Sequence, residues 1–189
     1  GYLFDVASDP GFGGALPFAD PTQPVGRMQA TIKSGTVDDV LSAGTAAMLS
    51  HHFALAASAF SIASSRAPAD WRGPYLAGIN AQQRGDQLGA HALFEQAASR
   101  GGQPAVFVGL AVSDVALGDD TGAYDEAQHA ISMSPNFEPA LFAAGMIDIL
   151  IANAPAAERD LGAAEAAGGA PGRTAYFLAT LRAREEGSQ

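Results

Sequence analysis

The chain has 189 residues, 48% of them hydrophobic and only 16% charged, which excludes a disordered chain and leaves enough apolar surface for an ordinary packed domain. Acidic residues outnumber basic ones by 20 to 10, a net charge of -10 that repels phosphate backbones and anionic bilayers, so nucleic acid is excluded as an expected partner. There is no cysteine, so disulfides and thiolate metal sites are excluded as well.

In chain order, residues 1–35 read first as a Gly/Pro-rich arm. The stretch from Gly1 to Arg27 shows no helical period, yet it carries Tyr2, Leu3, Phe4, Phe12, Leu16, Phe18 and Val25. A plain linker needs no such anchors. The arm is expected either to pack on the rest of the chain or to meet another part of a longer protein. The start at Gly1 fits a removed leader, a fragment or a tag remnant, which leaves bacterial cytoplasm and periplasm both open. GFGG at 11–14 lacks the strand-to-helix setting of a phosphate loop.

From residue 36 the pattern turns helical. Thr36 with Asp39 three residues on predicts a capped helix start. Short helical stretches then alternate with breaks, most of them marked by Pro68, Pro104, Pro135, Pro155 and Pro171. The longest apolar run, 139–154, is interrupted by Asp148 and is too short to span a bilayer, so direct membrane insertion is not expected.

Aligned with itself, the chain repeats. Gly44, His51, Ala56, Phe60 and Ala63 are followed by Gly78, Gly85, Ala90, Phe94 and Ala97. Then come Ala111, Gly118, Ala123, Ala127 and Ala130, and finally Gly145, Ala152, Ala157, Leu161 and Ala164. Corresponding residues step by 34, 33 and 34 positions. This resembles the tetratricopeptide repeat (TPR) family, with units beginning at Val37, Trp71, Pro104 and Glu138. The departures are Val40, Pro74, Phe107 and Leu141 where the family carries tryptophan, and Ala47, Ala81, Asp114 and Asp148 where it carries tyrosine.

The resemblance implies an all-α, right-handed superhelical solenoid of antiparallel helix pairs. Residues 36–171 would form four units and 172–189 a C-terminal capping helix and tail, about nine helices after the arm. Small residues such as Gly44 and Gly78 let the helices of a pair approach closely, and the large residues at Phe60 and Phe94 are expected to fill space between neighbouring units. No single hairpin of this kind buries its apolar face, so the units must stack.

The resemblance also implies a concave groove lined by the first helix of each unit. The first unit offers Leu41, Thr45 and Met48, the second Arg72, Tyr75, Ile79 and Gln82. The third offers Val108, Val112 and Val115, the fourth Phe142, Met146 and Ile149. With one positive charge among them, these positions fit an apolar or aromatic peptide better than a carboxylate. The implied function is a protein–protein interaction scaffold or adaptor without a cofactor. The alternative is a regulatory or anchoring domain of a larger enzyme or cell-envelope assembly protein. Residues 1–20 are a candidate occupant of the groove, with outer-face packing and self-association the other readings.

Enzymatic signals are sparse. His51 and His52 are adjacent, so they do not share a helix face, and His91 and His129 lie in other units; none forms a metal-ligand pair at helical spacing. GDDTG at 118–122 reads as the turn of the third unit, and SAFSIASSR at 58–66 as a solvated face. Asp114 and Asp148 lie at equivalent positions inside apolar helices, where a buried carboxylate needs partners or a raised pKa. The expectation is that each bonds locally, to backbone, Ser113 or a tyrosine; a mutual pair is the catalytic alternative.

Overall fold

The computed structural model describes residues 16–186, all helix and connecting turns. Expectations placed on Tyr2, Leu3, Phe4, Phe12, residues 11–14 and the tail beyond residue 186 lie outside the described residues. Contacts divide the chain into two compact units, residues 1–102 and 103–189.

The first unit contains α1 (Val25–Ser34), α2 (Val37–Leu49), α3 (Phe53–Arg66), α4 (Arg72–Gln83) and α5 (Gln87–Ser99). Helix α1 lies where the sequence predicts an irregular arm. It starts after Pro24, an extended N-cap, and it forms because Met28 and Ile32, four apart on one face, are both buried. That two-residue stripe is too short, and interrupted by too many polar residues, to register as a period. The Arg66 guanidinium donates to the carbonyls of Lys33 (3.0 Å) and Gly35 (2.9 Å), satisfying acceptors at and just beyond the end of α1. Helix α2 opens with the expected capping box: the Thr36 amide donates to Asp39 Oδ2 (2.9 Å) and the Asp39 amide to Thr36 Oγ1 (3.2 Å). Consecutive helices pack in pairs, α2 with α3 and α4 with α5.

The second unit contains α6 (Pro104–Leu117), α7 (Asp120–Met133), α8 (Glu138–Leu150), α9 (Ala154–Ala166) and α10 (Arg173–Glu186). Its pairs are α6 with α7 and α8 with α9, and α6 also packs on α8. Ala144 and Ile147 of α8 enter a cluster with Ala111 of α6 and Ala123 and Ala127 of α7. Helix α10 covers α8 and α9: Leu181 joins Ile149, Ala157 and Leu161, with Phe177 and Leu178 beside them.

Two repeating devices set the geometry of every pair. The first is a left-handed backbone residue at the turn: His51 (φ 62°), Gly85 (79°), Gly118 (85°) and Ala152 (57°). The second is a matched contact across the pair. A Cβ on Gly44 would lie 2.7 Å from Phe60, one on Gly78 2.7 Å from Phe94, and one on Gly145 2.6 Å from Leu161. The remaining pair carries alanine at both positions, Ala111 and Ala127, buried in one cluster. A large residue on the second helix is thus met by glycine on the first, and a small one by alanine. Phe60 and Phe94 therefore also fill space inside their own pairs, against Gly44 and Gly78. The serine-rich stretch at 58–66 is exposed only along Ser58, Ser61, Ser65 and Arg66, because Ala59, Phe60 and Ala63 of the same turns are core.

Candidate functional site

The groove positions of the first unit belong mostly to its interior. Leu41, Thr45, Met48, Tyr75 and Ile79 are all buried, and Gln82 is partly exposed. Helices α1, α3 and α4 pack around α2, and its remaining strip carries the chain just before α1. Ser42 Oγ donates to the Phe18 carbonyl and Ser50 Oγ to the Pro21 carbonyl (2.7 Å), so residues 18–21 run alongside α2 in the same direction. The Phe18 ring is not an anchor, being 87% exposed. The arm is held here by its backbone, not by the side chain that the sequence singles out.

Arg72 is committed within the fold. Its guanidinium pairs with Asp70 (2.6 Å) and with Asp38 (2.8 Å). Burial pushes the Asp70 carboxyl up, but the hydrogen bonds and charge of Arg72 outweigh it and hold the group below its ordinary value. The one cation among the groove positions is therefore engaged with acids of its own chain.

In the second unit the expected positions divide. Phe142 and Met146 are half-buried and Ile149 is buried, because α10 lies against them: the Phe142 and Phe177 rings are 5.8 Å apart. Arg173 sits over the Phe142 ring at 3.7 Å and pairs with Glu138. Helix α6, by contrast, shows Val108 and Val115 half-buried and Val112 exposed. Leu117, Leu150 and Ile151, at the ends of α6 and α8, are exposed as well. This apolar surface is the most open part of the expected groove among the described residues.

The histidines take structural places. His51 meets Phe53 edge-on at 5.6 Å, His129 meets Phe107 at 4.3 Å, and His91 lies 3.7 Å from Glu95 one helical turn on. Among the described residues no three potential metal ligands come together. Asp119 caps α7 by accepting from the Gly122 amide (2.9 Å), as expected for the turn at 118–122.

Asp148 departs from expectation. It is fully buried, and no donor reaches either carboxyl oxygen. Its neighbour is Asp160 of α9, itself buried and gripped by Arg159 at 2.6 and 3.0 Å. Burial first, and then the Asp160 carboxyl, push the Asp148 pKa up to about 6. Asp148 therefore does not bond to backbone, serine or tyrosine. Ser113, the expected partner of Asp114, spends its hydroxyl on the carbonyls of Gly109 and Leu110. Sequence reading misses Asp160 because an acid beside an arginine near a helix surface gives no sign of burial. Its helical spacing from Ala156, Ala157 and Ala164, all core residues, is the signal that would have found it.

No family model matches the sequence, and no curated protein matches it. The structure does match solved structures. One is YrrB, described as a TPR protein with an unusual peptide-binding site, at a TM-score of 0.66 and 17% identity over 86% of each chain. Another is MamA, at 0.65 and 14% identity over 76% of this chain and 85% of that one. A further MamA structure, MSR-1 C2, matches at 0.58 and 17% identity over 75% and 87%. At these identities the likeness is one of fold, and the fold is that of TPR-like helix-pair solenoids.

Proposed function

We propose that the chain is an interaction scaffold that binds an apolar or aromatic peptide segment on its second unit, along α6 and the exposed end of α8. The observation that carries this reading is the open apolar surface of α6, with Val112 at its centre and Val108 and Val115 beside it. Such a surface gains free energy when covered, at roughly 25 cal/mol per Å² of apolar area. The engagement of Arg72 with Asp38 and Asp70 argues against a carboxylate clamp. The description of YrrB as a peptide-binding TPR protein supports the same class of function for this fold.

Selection of a displayed random-peptide library on the intact chain tests the proposal. Enriched peptides should be rich in leucine and aromatic residues, and Val112→Asp should abolish their binding while leaving the helical circular dichroism unchanged. Failure to enrich any sequence, or binding indifferent to V112D, would remove α6 as the site.

A further inference from the structure

The scaffold reading leaves the charge of the partner open, and the second unit supplies it. Residues 103–189 hold twelve acidic and four basic residues, so they carry -8 of the chain's -10. Of the four, Arg159 is engaged by Asp160 and Arg173 by Glu138. The field around this unit is strongly negative.

Of the large apolar residues exposed among the described residues of this unit, Met133 and Tyr176 lie on α7 and α10, and the other four lie on α6 or at the end of α8. Val112, Leu117, Leu150 and Ile151 are each between 42% and 49% exposed, and Ala116 is exposed beside them. Leu117 and Ile151 stand one repeat step apart, each just at or beyond the last turn of its helix, on the neighbouring helices α6 and α8. The same repeat position in the first unit is polar, Ser50 and Arg84. At this edge the carbonyl ends of α6 and α8 emerge beside the N-termini of α7 and α9, so the helix dipoles offset one another and the side-chain charges set the field. Exposed Asp119 and Asp120 follow Leu117 after Gly118. An anionic partner would meet these carboxylates and the net charge of the unit, while a cationic one satisfies them.

Resting on the scaffold reading, we infer that the α6–α8 edge of the second unit docks a cationic amphipathic segment, with leucine-like side chains on Val112, Leu117 and Ile151 and lysine or arginine toward Asp119–Asp120. The apolar contacts hold the segment and the charges select it.

Three labelled amphipathic helices test this by fluorescence anisotropy with the intact chain: leucine with lysine, leucine with glutamine, and leucine with glutamate. The lysine peptide should bind at least about tenfold more tightly than the glutamine peptide, the glutamate peptide should not bind, and added salt should erase the difference. Leu117→Ser with Ile151→Ser should weaken the lysine peptide about tenfold or more, since each leucine-sized contact is worth roughly that factor. Asp119→Asn with Asp120→Asn, in which asparagine still caps α7, should weaken only the lysine peptide. Equal binding of the lysine and glutamine peptides would overturn the charge inference and leave the apolar-peptide reading standing. Lysine-peptide binding indifferent to L117S/I151S would mean diffuse attraction to an acidic surface and would overturn the site. Binding of none of the three would count against both readings.

Discussion

Replacing Asp148 by asparagine should make the chain more stable at neutral pH and change it little in acid. Asp148 is fully buried beside Asp160, and its pKa stands at about 6 in place of 3.8. Between those values the folded chain keeps a proton that the unfolded chain has released, so stability falls as pH rises through the window and levels off above it. At about 1.4 kcal/mol per pH unit, the ionised group costs the fold about 3 kcal/mol. Asparagine keeps the shape, cannot ionise, and offers an N–H to the Asp160 carboxyl. The stability advantage of Asp148→Asn over the natural chain should therefore grow by about 3 kcal/mol from about pH 3 to about pH 7.5. That corresponds to about 6–12 °C in melting temperature for a chain of this size. Urea denaturation of both proteins across this range, followed by circular dichroism, measures it. A stability difference that stays constant with pH would refute the reasoning, because it would show that the Asp148 pKa does not differ between the folded and the unfolded chain from about pH 3 to about pH 7.5.

Ala152 holds φ at 57°, a conformation that costs a non-glycine residue about 1–2 kcal/mol, so Ala152→Gly should stabilise by about 0.5–1 kcal/mol after the entropy of the unfolded chain is counted; a lowered urea midpoint would contradict this. Gly145→Ala should cost about 1–3 kcal/mol because its methyl meets Leu161, and the loss should be much smaller in a Leu161→Ala background, which reproduces the natural Ala111–Ala127 match. Additive losses in that double-mutant cycle would rule out the matched contact. Arg173→Ala should free α10 from α8 by removing the Glu138 pair and the stacking on Phe142. Amide exchange in α10 should then rise at least several-fold while α1–α5 stay protected, and unchanged exchange in α10 would show that Phe177, Leu178 and Leu181 alone hold the helix.

The helix pairs and their register are legible in the sequence. A helical hairpin must bury its apolar stripe, turn within a few residues and bring its helices close, and each demand leaves a residue of fixed type at fixed spacing. Gly44, Gly78 and Gly145 mark the close approaches, and the left-handed turn residues recur at His51, Gly85, Gly118 and Ala152, two of them without the glycine that would announce the conformation. Burial and partnership were decided by tertiary structure. Helix α1 exists because Met28 and Ile32 find a surface on neighbouring helices, which no local pattern records. Leu41, Met48, Tyr75 and Ile79 stand at groove positions of the repeat but are core, because exposure depends on which elements pack against a face and not on the period of that face. Asp148 shows the same limit in its sharpest form. Its position in an apolar helix is plain in the sequence, but its protonation depends on Asp160, a residue of the next helix brought close only when α8 and α9 pack.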